Sequence, residues 1–482
     1  MKFNIKGKFN AFLNNSKDYP VLAGFSIGFY AFVFYFSNNF DLVNSWQQTL
    51  VFLLNFIVFS TVIVFVFFKI IQKTKFSSFA THSIFIMMLV LLPIYLFGFS
   101  NLLASYKKMG LLIILILCLI IFKIKNYKYF MVFVFLMAVL PTVKLGEIIY
   151  LNYTNSTEWK LQPDAILRTQ FKKKPNIYYI QPDGYANETN LKGPLYRFDN
   201  SAFDGWLKSQ KFSLYDDYRS NYSSTLYSNS SCFFMKHHFS NEFSKFNYAR
   251  DYIVGRNPVL EIFKNNNYKT FFITEIPYLL MNRPSVYFDY CNYKLVELPY
   301  FNDGLSCFKE ITNEIENQIV MNKKSNNFFF IEKFNPGHIN PSKINGSTIE
   351  KERLEYLKSL QNANVWLKKT ITIIEKNDSN AIMIIGVDHA GYVGFEYTSQ
   401  AQNKITDRKL LNSIFGAKLA IKWNGINHSE YDAQLKTSVN LFRILLSYLS
   451  EDKSLLDNLQ PDVSYNCYDA SDFSKVYKAI ED

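Results

Sequence analysis

The chain has 482 residues, of which 49% are hydrophobic and 18% aromatic, and its formal charge is +12. Its 47 phenylalanines and 33 tyrosines supply enough apolar surface for a large core, which excludes a disordered chain. Five cysteines are too few for a scaffold built on disulfides. A positive net charge is compatible with nucleic-acid binding, so the position of the basic residues along the chain decides whether a nucleic-acid partner is expected.

The positive charge is concentrated in the N-terminal third. Residues 1–150 contain thirteen lysines, no arginine and three acidic residues, whereas residues 151–482 hold 39 basic and 37 acidic residues. The C-terminal two thirds are therefore nearly neutral. Because nucleic-acid binding depends on neutralising phosphates with basic side chains, we expect no nucleic-acid partner.

Five long apolar segments fill the same N-terminal third and predict five transmembrane helices. A bilayer core needs about 20 apolar residues per helix. Five such segments are too many for a signal peptide, and soluble cores do not repeat helices that are apolar on every face. The approximate bounds of the segments are 20–37, 48–70, 82–103, 109–123 and 129–150.

The lysines between these segments predict the orientation. Ten of the thirteen fall on one side of a five-helix arrangement, and Lys107, Lys108 and Lys144 fall on the other. Cytoplasmic loops are enriched in lysine and arginine, so we expect a cytoplasmic N-terminus. With five spans of the bacterial cytoplasmic (inner) membrane, the region after a polar connector at 151–174 would lie on the periplasmic or extracellular side.

From residue 175 onward, short apolar runs alternate with helical patterns. Buried strands are predicted at 176–180, 270–274, 328–332 and 381–386. Helices are predicted at 200–210 and 347–378, and the second begins with a capping box of Ser347 and Glu350. Strands that alternate with helices are typical of an α/β domain with a mainly parallel sheet.

Acidic and histidine residues follow three of these predicted strands: Asp183, His338, and the pair Asp388 and His389. Parallel strands bring ligand-binding residues to the edge formed by their carboxyl ends. Aspartate and histidine supply the oxygen and nitrogen donors that zinc or manganese accepts. Pro-Asp-Gly is also a common turn, so the repetition at several strand ends, and not Asp183 alone, favours a metal site. Gly391 would permit the sharp turn that points Asp388 and His389 at one ion.

Five segments occur in the order expected of a known family. They are KPNIYYIQPDGYA (174–186), YRSNYSSTLYSNSS (218–231), FFFIEKFNPGH (328–338), IMIIGVDHAG (382–391) and TSVNLFRILLSYL (437–449). In these segments the chain resembles the sulfatase-like hydrolases and transferases of the alkaline phosphatase superfamily. The membrane-anchored branch, with the lipoteichoic acid synthases and phosphoethanolamine transferases, also joins about five membrane helices to an exported catalytic domain. The resemblance implies a transmembrane domain at 1–150 and an alkaline-phosphatase-like α/β/α domain at 175–482.

The resemblance also implies a set of site residues. The implied ligands of one divalent ion (zinc, manganese or magnesium) are Asp183, Thr225, Asp388 and His389. Thr225 would be the nucleophile, with Ser223 and Ser224 as rivals. His338 would contact the substrate phosphate or act as an acid. The residues implied in substrate binding are His338, His237 and Arg219, although a surface role is an alternative for His237 and a salt bridge for Arg219.

Two departures from the family pattern narrow the chemistry. Cys232 lacks the proline and arginine context in which sulfatases convert a cysteine to formylglycine. Phe334 stands four residues before His338, where two-metal members have an aspartate, which favours a single metal ion.

The resemblance implies a membrane-bound phosphotransferase that moves phosphoglycerol or phosphoethanolamine from a lipid donor to an envelope glycan or lipid through a phospho-threonine intermediate. The alternatives are a hydrolase of phosphate or sulfate esters on surface polysaccharide and a catalytically inactive envelope-assembly scaffold. In an exported domain Cys291 and Cys307 could pair, but their spacing does not decide this.

Overall fold

The computed structural model describes residues 5–98, 126–154, 157–238, 248–301, 303–425, 428–467 and 476–481. The chain divides into two compact units, Met1–Thr154 and Asn155–Asp482. We call them the helical unit and the α/β unit, and each is described by itself. The fourth apolar segment of the sequence, 109–123, lies outside the described residues.

In the described part of the helical unit, the long helices coincide with predicted apolar segments, and two shorter helices lie outside them. The helices are α1 (Ile5–Asn14), α2 (Pro20–Asn38), α3 (Phe40–Val43), α4 (Trp46–Phe52), α5 (Phe59–Gln72), α6 (Ala80–Gly98) and α7 (Tyr127–Thr154), with a π-helix (Leu53–Val58) between α4 and α5. The spans long and apolar enough to cross a membrane are Pro20–Asn38, Trp46–Gln72, Ser77–Leu96 and Tyr127–Thr154. They coincide with the first, second, third and fifth predicted segments.

Two glycines let α2 pack closely against the Trp46–Gln72 helix. Gly24 and Gly28 are four residues apart and therefore lie on one face of α2. A Cβ atom on Gly28 would lie 2.2 Å from the carbonyl oxygen of Phe56, and one on Gly24 would lie 2.6 Å from that of Ser60. Helix backbones in a membrane approach this closely only where side chains are small, so these glycines fix the contact.

A buried lysine joins the first and last described helices of this unit. Lys128, at the start of α7, is 3% exposed. Its Nζ donates to the carbonyl oxygens of Phe12 and Asn15 at 3.3 and 2.7 Å and to Oδ1 of Asn15 at 2.9 Å. Carbonyl oxygens at the end of a helix lack intrahelical donors, so the ammonium group stabilises the end of α1.

The α/β unit is built on a seven-stranded, mainly parallel sheet, which confirms the predicted fold class. The strands are β1 (Ile177–Pro182), β2 (Ser213–Tyr215), β3 (Tyr268–Thr274), β4 (Tyr290–Cys291), β5 (Asn326–Lys333), β6 (Ile382–Gly386), β7 (Leu419–Lys422), β8 (Val463–Cys467) and β9 (Val476–Glu481). The sheet order is β2-β7-β6-β1-β5-β3-β4, and β8 and β9 form a separate pair. Strand β7 runs antiparallel to both of its neighbours, β2 and β6.

Helices connect these strands. They are α8 (Glu188–Lys192), α9 (Ser201–Ser209), α10 (Thr225–Phe234), α11 (Ala249–Val254), α12 (Pro258–Asn265), α13 (Thr312–Met321), α14 (Ile349–Asn377), α15 (Arg408–Phe415), α16 (Ser429–Asp432) and α17 (Leu441–Ser450). The predicted capping box at the start of α14 is wrong. The N-cap is Thr348, whose side chain accepts from the Lys351 amide at 3.2 Å, and the Ser347 hydroxyl donates to Glu352 instead.

Aromatic side chains form the core on one face of the sheet and orient α10. Tyr179 on β1 stacks on Phe330 of β5, with ring centroids 5.4 Å apart. Phe233, near the end of α10, packs against both rings at 6.2 and 5.2 Å. Because the end of α10 is fixed on the sheet, its first residue, Thr225, is held at the carboxyl edge of the parallel strands.

The polar connector was predicted at 151–174, but residues 151–154 belong to α7, and residues 157–174 pack into the α/β unit. Arg443 on α17 is 1% exposed and donates to Asp164 at 2.5 Å and to Gln162 at 2.9 Å. A buried guanidinium that is paired and hydrogen-bonded in this way holds the segment in place.

Candidate metal centre

Three of the implied ligands meet at the carboxyl edge of the central strands. Asp183 follows β1, and Asp388 and His389 follow β6, which pairs with β1. The three side chains are buried, and one ligand atom from each lies within 4.8 Å of the others. Nε2 of His389 is 3.5 Å from Oδ1 of Asp183 and 3.5 Å from Oδ2 of Asp388. We call these three residues the ligand cluster.

Thr225 presents its hydroxyl to the ligand cluster. Its Oγ1 lies 3.3 Å from Oδ1 of Asp183 and 3.3 Å from Nε2 of His389. Thr225 is the first residue of α10, and the N-cap residue Ser224 makes no side-chain capping bond. The free amide groups and the positive end of the helix dipole therefore favour negative charge at this position. The side chain is half-buried, so a substrate can reach it.

The rival hydroxyls of this segment are placed differently. Among the described residues, no hydrogen bond joins the hydroxyl of Ser223 or Ser224 to the ligand cluster, whereas the Ser223 carbonyl accepts a bond from Tyr392. The geometry therefore favours Thr225 over both serines as the nucleophile.

The donor set of the cluster fits a divalent cation. Nδ1 of His389 lies 2.9 Å from the carbonyl oxygen of Ala390, which places the proton on Nδ1 and leaves the lone pair on Nε2. Oδ2 of Asp388 is buried and has no hydrogen-bond partner within the described part of the chain. Such an oxygen is unfavourable unless a cation compensates it. Two carboxylates, an imidazole nitrogen and the Thr225 hydroxyl are donors that zinc or manganese accepts.

The burial and mutual charge interactions of the ligand cluster also favour a bound cation. Burial raises the pKa of Asp388 to about 6. The charge of Asp183 adds to this rise, and the charge of His389 offsets only part of it. Burial alone would lower the pKa of His389, but the charges of Asp388 and Asp183 outweigh it and raise that pKa. A bound cation would favour the ionised form of both carboxyl groups.

Two glycines that nearly touch fix the backbone around Asp183. Gly184 and Gly337 have φ values of 70° and 71°, in the left-handed region that glycine tolerates. A Cβ atom on Gly184 would lie 2.0 Å from the Gly337 carbonyl oxygen. The Gly337 amide donates to the carbonyl oxygen of Asp183 at 2.8 Å. The Pro-Asp-Gly and Pro-Gly-His turns therefore form one unit, which places His338 beside the cluster.

His338 is exposed and stands at the open side of the site. Its ring centroid is 5.9 Å from that of His389. Nδ1 lies 2.6 Å from the carbonyl oxygen of Ile339, which makes Nδ1 the protonated nitrogen of the neutral ring. Nε2 is then the ring nitrogen that can accept a hydrogen bond from a substrate.

His237 and Arg219 make their described contacts away from the ligand cluster. Nδ1 of His237 is 3.1 Å from the Tyr222 hydroxyl, and Nε2 is 2.9 Å from the carbonyl oxygen of Pro461. Arg219 is 9% exposed, and its guanidinium donates to the carbonyl oxygen of Asp462. Both side chains therefore link the segment before Thr225 to the segment before β8.

The two departures from the family pattern also have structural counterparts. Cys232 is 1% exposed, and burial raises its pKa to about 12, so the thiol is neutral and closed to solvent. The Phe334 amide donates to Glu275 at 3.0 Å, and its ring packs against Tyr278. In the described part of the chain, the ligand cluster is the group of side chains that could hold a metal.

Sequence reasoning missed two residues near the cluster. Glu332, at the end of β5, is fully buried, and burial raises its pKa well above the usual range, with Asp183 and Asp388 adding to the rise. The signal was visible, since an acidic residue ends the apolar run FFFIE. The other is Tyr392. The sharp turn expected at Gly391 occurs at Tyr392, whose φ is 62°.

Comparisons with known proteins give structural neighbours at low similarity. No family model and no curated protein matches the sequence. The integral membrane protein lipooligosaccharide phosphoethanolamine transferase A (EptA) from Neisseria meningitidis is 12% identical, with a TM-score of 0.41, and the match covers 89% of this chain and 95% of that chain. The C-terminal periplasmic domain of EptC from Escherichia coli in complex with Zn is 10% identical, with a TM-score of 0.42, over 64% of this chain and 93% of that one.

A third neighbour is the C-terminal periplasmic domain of phosphoethanolamine transferase EptC from Campylobacter jejuni. It is 12% identical, with a TM-score of 0.38, over 58% of this chain and 90% of that chain. The neighbours from Neisseria meningitidis and Campylobacter jejuni are described as phosphoethanolamine transferases. At these identities and TM-scores they transfer neither a residue role nor a substrate, so the proposals below rest on the geometry of this chain.

Proposed function

We propose that this chain is a membrane-bound, metal-dependent phosphotransferase. It moves a phospho-alcohol group, such as phosphoglycerol or phosphoethanolamine, from a membrane lipid to a glycan or lipid of the cell envelope. The observation that carries this proposal is the contact of the Thr225 hydroxyl with Asp183 and His389 at the N-terminus of α10. A hydroxyl nucleophile beside divalent-metal ligands is suited to phosphoryl transfer.

The ligand cluster and Thr225 would hold one divalent ion, which when bound lowers the pKa of a hydroxyl and offsets charge on a phosphoryl group. Oγ1 of Thr225 attacks the phosphorus of the donor, the bond from phosphorus to the lipid glycerol oxygen breaks, and that oxygen takes a proton from solvent and leaves as diacylglycerol. Oδ1 of Asp183, 3.3 Å from Oγ1, accepts the hydroxyl proton. The amide groups at the start of α10 stabilise the phosphoryl oxygens of the resulting phospho-threonine.

His338 serves the second half of the reaction. An acceptor hydroxyl approaches from the open side of the site, where the Nε2 acceptor of the neutral His338 ring takes its proton. The acceptor oxygen then attacks the phospho-threonine and frees Thr225. A glycan or lipid hydroxyl in this position makes the protein a transferase, and water would make it a hydrolase.

The helical unit supports a lipid donor and a membrane location. Its four described spans are long and apolar enough to cross a bilayer. We place the N-terminus in the cytoplasm and the α/β unit on the periplasmic or extracellular side of the inner membrane, because most lysines of residues 1–150 fall on one side of the predicted spans. The near-neutral α/β unit gives no reason to add a nucleic-acid partner.

The test uses the full-length chain in lipid nanodiscs with zinc and a fluorescent phosphatidylethanolamine or phosphatidylglycerol. We expect release of fluorescent diacylglycerol and, by mass spectrometry, a covalent adduct on Thr225. Thr225→Ala should abolish both. Ser224→Ala is the matched control and should keep both, because the Ser224 side chain makes no capping bond.

Turnover by Thr225→Ala would refute the nucleophile. Activity and thermal stability that are unchanged by EDTA would refute the metal-dependent mechanism. A chain that forms no adduct and binds no zinc would match the scaffold alternative instead.

A further inference from the structure

Tyr392 follows the ligand pair on the loop after β6 and has an unusual backbone conformation. Its φ of 62° lies in the left-handed region, which an aromatic residue rarely adopts. Two backbone hydrogen bonds to the end of α15 hold the loop there. The Ala390 amide donates to the carbonyl oxygen of Ile414 at 2.7 Å, and the Tyr392 amide donates to that of Ser413 at 3.0 Å. The direction of the Tyr392 side chain is therefore fixed.

The Tyr392 side chain contacts three parts of the candidate site. Its hydroxyl donates to the carbonyl oxygen of Ser223, two residues before Thr225. Its ring centroid is 5.8 Å from that of His389 and 6.0 Å from that of His338, both in edge-to-face geometry. The Tyr392 side chain, which is 7% exposed, thus contacts the loop with the metal ligands, the turn that carries His338 and the segment before Thr225.

We propose that Tyr392 is a positioning residue for the transfer reaction. Its hydroxyl holds the Ser223 carbonyl and thereby sets the Thr225 hydroxyl over Asp183 and His389. The start of α10 lacks a side-chain cap, so the Tyr392 contact supplies a restraint that the helix does not make for itself. Nucleophiles lose rate steeply when displaced from the attack geometry. This inference rests on the proposed function.

The test compares Tyr392→Phe with the wild type, as full-length protein in nanodiscs with zinc and fluorescent phosphatidylethanolamine. The variant keeps the ring and removes only the hydroxyl. We expect the rate of Thr225 adduct formation at saturating donor to fall about tenfold. The donor KM and the zinc affinity should stay within about twofold of the wild type, because the lost bond acts on the nucleophile and not on binding.

Tyr178→Phe is the matched control. The Tyr178 hydroxyl donates to Asp378 at 2.9 Å near the amino end of β1, so its loss should leave the rate of adduct formation unchanged. A Tyr392→Phe rate equal to those of the wild type and the control would overturn the positioning role. A loss of zinc affinity that accounts for the loss of rate would also overturn it. A wild-type chain that forms no Thr225 adduct would overturn the proposed function and this inference with it.

Discussion

The helical unit and the α/β unit differ in how they pair buried charged side chains. In the described helical unit, the buried charged side chain is Lys128, whose Nζ donates to oxygens of Phe12 and Asn15. In the α/β unit, one buried carboxylate oxygen of Asp388 and one of Glu332 have no hydrogen-bond partner among the described residues.

The physical setting of each unit explains the difference. Inside a bilayer no water can satisfy a polar group, so each must be paired within the protein. At the carboxyl edge of the sheet, an oxygen without a partner is retained where a bound cation can satisfy it, and such local violations are typical of functional sites. A substitution in the ligand cluster should therefore abolish activity and spare stability, and one between the membrane helices should do the reverse.

The largest effect is expected from Asp388→Asn. Losing this ligand should reduce transfer about a thousandfold, because the divalent ion supplies several kcal/mol of stabilisation to the transition state. Without metal, the stability of the variant should stay close to that of the wild type, because the cost of burying the Asp388 charge and its favourable interaction with His389 are lost together. The checks are the diacylglycerol-release assay and thermal unfolding of the full-length chain with and without zinc.

Asp378→Asn is the matched control for this substitution. Asp378 accepts hydrogen bonds from Asn176 and Tyr178 at 2.6 and 2.9 Å near the amino end of β1. Its loss should lower stability and leave zinc binding intact. If Asp388→Asn binds zinc like the wild type, the ligand cluster is not the metal site.

The opposite result, lower stability with unchanged activity, is expected from Gly28→Leu in α2. A side chain at this position must displace the backbone around Phe56, because even a Cβ atom would lie 2.2 Å from its carbonyl oxygen. We expect the free energy of unfolding of the helical unit to fall by about 3 kcal/mol. Activity per folded molecule should be kept. Unfolding in mixed detergent micelles measures the first quantity, and the transfer assay the second.

Gly146→Ala is the control, because a Cβ atom at Gly146 would meet no described atom within 4 Å. It should leave stability unchanged or raise it by up to about 1 kcal/mol, since alanine favours a helix over glycine. Equal effects of Gly28→Leu and Gly146→Ala would mean that the α2 contact does not hold the unit together.

The fold was predictable from the sequence where the apolar runs are long. The run at 328–332 lies within β5, and the run at 176–180 lies within β1 except for its first residue, because strands buried on both faces need continuous apolar sequence. The short strands Ser213–Tyr215 and Leu419–Lys422 have no such run. Their pairing depends on the neighbouring strands, so no local pattern identifies them.

The sequence predicted the metal ligands of the candidate site but not the contacts that hold these ligands and Thr225 in place. Asp183 and the Asp388–His389 pair were identified because they directly follow predicted strands. The hydrogen bond from Tyr392 to Ser223 joins residues 169 positions apart, and the closeness of Gly184 and Gly337 is likewise long-range. Contacts of this kind exist only after the chain has folded, and a single sequence carries no signal for them.

A smaller effect, on the pH dependence of stability, is expected from Glu188, a buried carboxyl group outside the ligand cluster. Burial, followed by the hydrogen bond with Asp204, raises the pKa of Glu188 from 4.5 to about 7, while Lys192 opposes the rise. Since the folded pKa is the higher, this contribution to stability is complete below about pH 4.5 and is lost as the pH rises through about 7. Relative to Glu188→Gln, the wild type should lose about 1 kcal/mol between about pH 5 and pH 8.

Thermal unfolding of the full-length chain over this pH range is the measurement. Glu261→Gln is the control, because Glu261 pairs with Arg256 at 2.7 Å near the surface, and its loss should not alter the pH dependence. Zinc should leave the difference between wild type and Glu188→Gln unchanged, because Glu188 is not in the ligand cluster. If zinc removes the stability difference between the wild type and Glu188→Gln, the cation, and not the hydrogen bond with Asp204, stabilises this carboxyl group.

The smallest effect is expected at an exposed helix end, where water is an alternative partner for every polar group. Thr348→Ala removes the side chain that accepts from the Lys351 amide at 3.2 Å and should destabilise the first turn of α14 by about 0.5–1 kcal/mol. Hydrogen exchange of the Lys351 amide measures this directly. Glu350→Ala should leave that exchange unchanged, because Glu350 pairs with Arg353. If Glu350→Ala instead accelerates exchange at the Ser347 amide and Thr348→Ala has no effect, then Ser347 and Glu350 form the capping box, and α14 begins one residue earlier.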